Sequence, residues 1–287
     1  MLLPASQTDE RLLADIREVA ADDARLQLWW LGQSGFLVKQ AGACLLFDPY
    51  LSDSLTEKYA RTDKPHVRIT ERCMKPEALG LVVRHVTASH IHTDHLDAAT
   101  LRPLAAAAGG IRLFLPHPII NEAKVRLGDA PVEYIGLTEG DGYADTEWEI
   151  TAVPAAHNEV KRDDGGRCHD IGFIARRNGF TIYHSGDTLW HSGLAGALRS
   201  HRCDVMLLPI NGNKPERRVA GNLNGAEAAA LAKTCGARLV IPCHYDMFEF
   251  NTESPELFVS ACSRLGQRHR VPRCGERVTL DPRPSPF

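Results

Sequence analysis

The chain has 287 residues, and its 33 basic and 36 acidic residues leave a net charge of −3. With 44% apolar and 24% charged residues, it has the composition of an ordinary globular protein. This balance gives no general attraction to nucleic acid or anionic membranes, and the sequence has no run of 18 apolar residues that could span a bilayer. We therefore expect neither a nucleic-acid nor a membrane partner.

The N-terminus and the cysteines indicate the compartment. Residues 1–25 carry several acids and no long apolar stretch, which is not the pattern of a signal peptide. The eight cysteines are scattered without a Cys-x-x-Cys pair, and several fall in predicted strands or helices, where a thiol packs as a small apolar group. We expect a reduced protein in the cytoplasm.

The first 80 residues predict one helix, three strands and a long polar loop. Residues 6–9 have the form of a capping box, and apolar residues at helical spacing after them predict a first helix. Short apolar runs at 26–31, 35–38 and 43–47, separated by turns that contain glycine, predict three strands. Residues 51–78 are charged and irregular, and we interpret them as an insert that forms a lid or a binding loop.

The rest of the chain alternates between predicted strands and helices. The apolar run at 81–88 predicts a buried strand, and Asn178-Gly179 predicts a hairpin turn. Further strands are predicted at 111–115, 132–135, 147–153, 170–176, 180–184, 204–209 and 238–242, with helices at 97–108, 118–127, 225–235 and 255–265. We expect one layered α/β domain over residues 1–287, with mixed sheets and a frayed tail at 281–287.

A dense group of metal-ligand residue types follows the predicted strand at 81–88. Within nine residues the chain contains three imidazoles and two carboxylates, from His90, His92, Asp94, His95 and Asp97. Neutral imidazole suits zinc, iron or manganese, and carboxylate suits the harder ions of that set. Because one strand end places all these groups in a small volume, the pattern predicts a metal site rather than a solvated polar loop.

Three other predicted strand ends carry ligand types. His157 follows the apolar residues 150–156, Asp187 stands in a Ser-Gly-Asp turn after the strand at 180–184, and His244 ends the strand near 239–243. Each of these residues alone would fit the rim or core of an ordinary fold. Together they predict ligands that separate strands bring to one metal centre.

The order of these ligands, His-x-His-x-Asp-His followed by His, Asp and His, resembles that of the metallo-β-lactamase-fold hydrolases. The resemblance implies an α/β fold, a four-layered αββα sandwich of two mixed β-sheets flanked by helices. It also implies two divalent metal ions, one held by His90, His92 and His157 and the other by Asp94, His95 and His244, with Asp187 as the bridge. Asp48 matches the acidic residue that braces the site, which suits a carboxylate that orients an imidazole.

Four motifs narrow the resemblance to the L-ascorbate-6-phosphate lactonase branch. They lie at residues 29–35, 183–187, 204–213 and 240–246, and include Trp-Trp-Leu-Gly-Gln-Ser-Gly and Tyr-His-Ser-Gly-Asp. The branch implies opening of a sugar or sugar-phosphate lactone, manganese ahead of zinc with iron also admissible, and assembly into homo-oligomers. Residues 51–78 and 158–169, which would contact the substrate, depart from the lactonase.

A two-metal centre suits attack by a metal-activated hydroxide on an ester, lactone or phosphodiester. We expect catalytic roles for Asp94 and Asp187, and Tyr245 is a candidate donor to the developing oxyanion because it follows His244. The polar stretch at 211–218 carries cations before a predicted helix, which suits an anionic group. We therefore expect substrate contacts from Asn211, Lys214, Arg217 and Arg218.

The sequence favours a lactonase acting on a small anionic or sugar-like substrate, and two alternatives stay open. One is a phosphodiesterase similar to N-acylphosphatidylethanolamine phospholipase D, which shares the fold and the motif set. The other is a non-catalytic metal-binding protein, against which the complete ligand set argues. Since histidine and aspartate ligands accept zinc, manganese or iron, the ligand types leave the metal open.

Overall fold

Strands and helices alternate along the chain, of which the computed structural model describes residues 2–284. The strands are β1 (Leu26–Gly32), β2 (Gly35–Gln40), β3 (Ala43–Phe47), β4 (His85–Thr87), β5 (Ile111–Pro116), β6 (Val132–Leu137), β7 (Gly142–Ala144), β8 (Glu149–Pro154), β9 (Ile171–Arg177), β10 (Phe180–His184), β11 (Val205–Pro209), β12 (Leu239–Cys243) and β13 (Arg277–Leu280). The helices are α1 (Asp9–Glu18), α2 (Ser54–Tyr59), α3 (Pro76–Leu79), α4 (Ala98–Ala108), α5 (Ile120–Leu127), α6 (Leu194–Arg199), α7 (Gly225–Thr234) and α8 (Glu256–Leu265). Within the described residues, no helix combines the length and apolar character that crossing a bilayer requires.

The strands form two mixed sheets, as predicted. The first has the order β13-β1-β2-β3-β4-β5-β6, antiparallel from β13 to β3 and parallel from β3 to β6. The second has the order β12-β11-β10-β9-β8-β7, parallel from β12 to β10 and antiparallel beyond it. Helix α1 lies on the first sheet, where Lys39 donates to the carbonyls of Ile16 and Val19, and α7 packs on β11 and β12. The predicted α/β fold with two sheets flanked by helices is confirmed.

The strand directions bring the predicted ligands to one edge of the two sheets. Asp48 follows β3, residues 89–95 follow β4, Asp187 follows β10 and His244 follows β12. Strands β8 and β10 both pair antiparallel with β9, so they run in the same direction, and His157 therefore emerges at the same edge as Asp187. The site is built where these strands end.

Several local predictions were wrong. The buried strand expected at 81–88 shrinks to β4, because the N–H groups of Val82 and Val83 bond the carbonyl of Leu79 and form a turn that leaves Leu81 56% exposed. Helix α1 begins after Thr8 without any side-chain cap, so the expected capping box is not formed. The sequence did not predict the short elements β7, α6 and β13, which have too few residues to show a periodic pattern.

The segment at 51–78 is more ordered than the irregular loop that its composition suggested. It contains α2 and most of α3. Arg68 pairs with Asp53 inside the segment at 2.6 Å and fastens the segment by donating to Met247 Sδ at 3.0 Å. The N–H of Ile69 also donates to the Met247 carbonyl at 2.9 Å. This lid segment is therefore held to the loop that follows β12.

The C-terminal tail is only partly described. Residues 281–284 have no helix or strand, but Arg283 donates to Asp204 Oδ1 at 2.9 Å, which attaches this part of the predicted frayed tail to the second sheet. Residues 285–287 lie outside the described residues.

Candidate metal centre

Asp48 organises the first sheet's side of the centre. It is fully buried at the end of β3 and accepts hydrogen bonds from Thr87 Oγ1 at 2.6 Å, from the Ser89 N–H at 3.1 Å and from His95 Nδ1 at 2.7 Å. Burial opposes its charge, but His184 and His95 outweigh burial and lower the pKa of Asp48. The ionised carboxylate accepts the Nδ1 proton of His95, so Nε2 is the ring atom that faces the centre.

His90, His92 and His157 form the first ligand cluster, with candidate ligand atoms within 4.8 Å of one another. Burial, helped by the neighbouring imidazoles of His95 and His92, lowers the pKa of His90 well below its usual value, and burial also lowers that of His92. His157 Nδ1 lies 3.0 Å from the Gly221 carbonyl, to which its N–H donates. Neutral rings with free lone pairs are the form that binds a metal.

Asp94, His95, Asp187 and His244 form the second ligand cluster. Asp187 lies 3.4 Å from the Nε2 atoms of both His95 and His244, and its Oδ2 is also 3.7 Å from Nε2 of His157 in the first cluster. The structure therefore places Asp187 between the two clusters, which is the position expected of a bridge.

The buried polar atoms of this cluster fit a divalent ion. His95 Nε2 and Asp187 Oδ1 are buried without a hydrogen-bond partner, although only 3.4 Å separates them. Burial opposes the charge of Asp187, yet His244 and His95 outweigh it and hold its pKa well below the usual range. Burial likewise opposes the charge of His95, but Asp187 and Asp94 raise its pKa well above the usual value. A divalent ion between these atoms would satisfy both orphans and replace the proton that His95 holds.

The backbone is strained around the centre. Gln33, Asp48 and His244 have φ values of +48°, +38° and +59°, a region that residues with a side chain rarely adopt. Gly186 has φ +58°, and a Cβ there would meet the Ser89 Cβ at 2.4 Å, so only glycine allows the turn that aims Asp187. Strain of this kind persists where a site requires it.

Both clusters open into a cavity of about 420 Å³. The lid segment contributes Lys58 and Lys64 to its wall, helix α5 contributes Arg126, and the loop after β11 contributes Arg218. Glu122 is the one acid in the wall, among the described residues, that is not a candidate ligand. Because Glu122 pairs with Arg126 at 2.6 Å, the remaining positive charge around the metal ligands comes from Lys58, Lys64 and Arg218.

A larger cavity of about 530 Å³ lies at the opposite edge, where β4 and β5 begin. Its charged groups neutralise one another, since Asp145 lies 2.8 Å from both His85 and Arg112, and Arg112 also pairs with Glu133. We place the functional site at the smaller cavity, because only that one contains the ligand clusters.

The predicted substrate-contact residues separate into two groups. Arg218 lines the metal cavity. Asn211, Lys214 and Arg217 do not, because Lys214 and Arg217 both pair with Glu253 and Asn211 is buried between Asn222 and Asn251. The loop turns these three side chains toward α8 and its preceding residues, a direction that the sequence pattern did not contain.

Tyr245 is also turned away from the centre. Its hydroxyl donates to the Pro272 carbonyl, and its ring stacks on Trp30 at 4.3 Å between ring centroids. The side chain is 2% exposed and does not line the cavity. The predicted oxyanion donor is therefore a packing residue, because it follows His244 and leaves the strand end on the other side.

Sequence reasoning assigned no role to several residues at the site. Gln33 contacts the second cluster through Nε2, which lies 2.8 Å from Asp94 Oδ2. His66 lines the cavity, and Arg126 donates to the Ile91 carbonyl beside the first cluster at 2.6 Å. Gln33 belongs to the motif at 29–35, which indicated only the family resemblance. The sequence gives no signal that a single arginine on a helix surface, such as Arg126, lines a cavity.

The fold and the ligand clusters define a class, and comparison with known proteins agrees with it. The model of the "Beta-lactamase superfamily domain" matches residues 27–244. The chain thus belongs to the metallo-β-lactamase superfamily, and it is a metal-dependent hydrolase of that superfamily. A chain from Archaeoglobus fulgidus called "UPF0173 metal-dependent hydrolase" is 30% identical over 246 residues, which cover 84% of this chain and 92% of the relative. The protein belongs to this UPF0173 metal-dependent hydrolase family.

Two further comparisons agree with this result, one in sequence and one in fold. A "UPF0173 metal-dependent hydrolase" from Opitutus terrae is 28% identical over 263 residues, 89% of this chain and 100% of the relative. The solved structure of Igni18, a metallo hydrolase from Ignicoccus hospitalis, superposes with a TM-score of 0.65 at 23% identity and covers 90% of this chain and 99% of that one. The structural match shows the fold alone.

Proposed function

We propose that the protein is a two-metal hydrolase that opens a lactone of a small anionic, sugar-like compound. The observation that carries the proposal is the pair of adjacent ligand clusters that open into a cavity with Lys58, Lys64 and Arg218 in its wall. The ligand clusters support hydrolysis, and the cations support an anionic substrate because charge-assisted contacts in a partly enclosed site are strong.

The chain's own residues divide the work. When bound, the two ions would lower the pKa of a water molecule to about 7 and polarise the scissile carbonyl. Asp187 holds the two clusters in register through its contacts to His95, His157 and His244. Asp94 reaches the cavity wall with a 15% exposed side chain, and its carboxylate is placed to take up the proton of the attacking water and return it to the leaving oxygen.

Lys58 and Arg218 are positioned for the anionic end of the substrate. Lys58 lies over the Tyr59 ring at 5.2 Å and has no carboxylate partner among the described residues, so its charge is available to a ligand. Arg218 pairs with the exposed Asp63, a contact that a substrate phosphate or carboxylate would replace. Both residues line the same cavity as residues of the two ligand clusters.

The size of the cavity favours a small substrate. About 420 Å³ lies in the range for small-molecule sites and is lined mainly by polar and charged side chains. A phospholipid would need an extended apolar surface for its chains. The polar lining is therefore less suited to the phosphodiesterase alternative. The choice of a lactone rests on the motifs that the chain shares with the lactonase branch.

The experiment is a hydrolysis panel with metal-reconstituted protein, measured together with metal content. Sugar lactones, phosphorylated sugar lactones and bis-nitrophenyl phosphate are compared for the wild type, Asp187→Asn and the matched control Tyr245→Phe. We expect lactone opening that Asp187→Asn abolishes and Tyr245→Phe retains. Phosphodiester turnover without lactone turnover would replace the proposal with the phosphodiesterase, and two bound ions without turnover would favour a binding protein.

The anionic preference is tested by removing one cation at a time. Lys58→Ala should raise KM for phosphorylated lactones about tenfold, the worth of one charge-assisted contact, and leave KM for neutral lactones unchanged. Lys214→Ala is the matched control, because it removes a positive charge that pairs with Glu253 outside the cavity. Equal effects of the two variants would refute a local role for Lys58.

A further inference from the structure

Gln33 is held rigidly where the two sheets meet at the centre. It follows β1, is 1% exposed, and its carbonyl accepts from Trp30 Nε1 at 2.9 Å and from the His244 N–H at 3.0 Å. Its positive φ of +48° is thus fixed by bonds to both sheets. From this backbone the side chain extends into the second ligand cluster, to Asp94 and His244.

The end of the side chain lies at ligand spacing from two ligand atoms. Gln33 Nε2 is 2.8 Å from Asp94 Oδ2 and 3.0 Å from His244 Nε2. Two donor atoms bound to one ion at the usual 2.0–2.2 Å lie about 3.0–3.4 Å apart, depending on the coordination geometry. The terminal group of Gln33 therefore stands where a further ligand of the same ion would stand.

The other terminal atom of the amide, Oε1, is buried and has no hydrogen-bond partner. His244 Nε2 has one lone pair, and a metal ion that takes it removes the acceptor that faces the Gln33 N–H. A half-turn of the amide exchanges its nitrogen and oxygen without changing its shape, and it would aim Oε1 at the ion. Amide oxygens are ordinary ligands for hard and intermediate divalent cations.

We propose that Gln33, through Oε1, is a further ligand of the ion held by Asp94, His95, Asp187 and His244. The second site then offers three oxygen and two nitrogen ligands from the protein. Five ligands of this composition favour ions that accept five or six ligands, such as manganese or ferrous iron, over tetrahedral zinc. The inference concerns metal binding and holds whichever substrate the enzyme takes.

The test compares Gln33→Met, Gln33→Glu and wild type in the full-length protein loaded with Co²⁺. The dissociation constants of both ions are measured by competition with a chromophoric chelator, and the visible absorption of Co²⁺ reports its coordination number. We expect Gln33→Met to weaken the second ion on the order of tenfold and to intensify the absorption, as fewer ligands do. Gln33→Glu should bind the second ion at least as tightly as wild type, since it supplies a carboxylate oxygen.

Gln33→Glu separates a ligand from a residue that only positions Asp94. If the amide acts solely by donating N–H to Asp94, a glutamate would repel that carboxylate and weaken the second ion at least as much as Gln33→Met, which would overturn the proposal. Equal affinities in all three proteins would overturn it as well. Gln33→Asn, which suits a positive φ but is one methylene too short, should fold and weaken the ion if Gln33→Met does not fold.

Discussion

Replacing Asp48 tests how the centre depends on its buried brace. Three donors converge on this carboxylate, from Thr87, Ser89 and His95. Asp48→Ala leaves Thr87 Oγ1 and the Ser89 N–H without an acceptor, and leaves His95 Nδ1 only Ser89 Oγ at 3.2 Å. At about 1–3 kcal/mol for each of the two buried orphans the loss is about 2–6 kcal/mol, a large part of the stability of a domain. Asp48→Asn keeps one acceptor oxygen and the shape, so we expect it to fold with a loss of about 1.5–3 kcal/mol.

Asp48→Asn should impair metal binding more than it impairs stability. A neutral amide neither fixes the His95 tautomer nor strengthens its lone pair, so the second ion should bind 10–100-fold more weakly. Chelator competition measures the affinity of each ion, and urea unfolding of the metal-free protein measures stability separately. Wild-type affinity for the second ion in Asp48→Asn would refute the bracing role, whereas equal weakening of both ions would indicate a general disturbance.

Three further predictions follow from single contacts. Gly186→Ala should bind about one ion instead of two, measured as metal content. A Cβ at this position would collide with Ser89 and displace the neighbouring Asp187, which lies between the two clusters. Tyr245→Phe should keep its activity within twofold and lose about 1 kcal/mol in urea unfolding, since only the bond to Pro272 is removed. Burial opposes the charge of Asp145, but the N–H groups of residues 147 and 148 outweigh it and hold its pKa below the usual 3.8, so its stabilising effect is full above about pH 4 and declines below it. The difference in unfolding free energy between wild type and Asp145→Asn should therefore shrink as the pH falls below 4, and a constant difference would contradict the assignment.

The candidate ligands could be located from the sequence because each one follows a predicted apolar strand. The apolar runs show where strands end, and the carboxyl ends of parallel strands share one edge of a sheet. His90, His92, Asp94 and His95 come from a single segment, so their proximity needs no knowledge of the fold. The assignment of His157 and His244 to separate clusters depended on the family resemblance, since strand order across the second sheet is not visible in the sequence.

The cavity wall could not be predicted in the same way. Lys58 and Arg126 belong to a lid segment and to a helix surface, where a positive charge is usually only solvated. Lys214 and Arg217 looked like anion ligands, but Glu253, which lies 36 residues beyond Arg217, takes both charges. Whether a cation is available to a substrate depends on such long-range partners, and a local pattern does not contain them.

The lid segment contacts both the cavity and the loop that follows β12, so its substitutions can change substrate preference and metal binding together. The lid segment is fastened by Arg68 to Met247, three residues after the ligand His244, and Thr70 donates to the Asp246 carbonyl. A change in the lid segment would therefore act on the loop that carries the candidate ligand His244 as well as on the cavity wall. We expect substitutions at Lys58, which touches neither anchor, to alter substrate preference without metal loss, whereas substitutions at Arg68 should weaken the second ion too. Metal content measured beside KM in the two variants separates these effects, and unchanged metal content in Arg68→Ala would show that the anchor serves the lid alone.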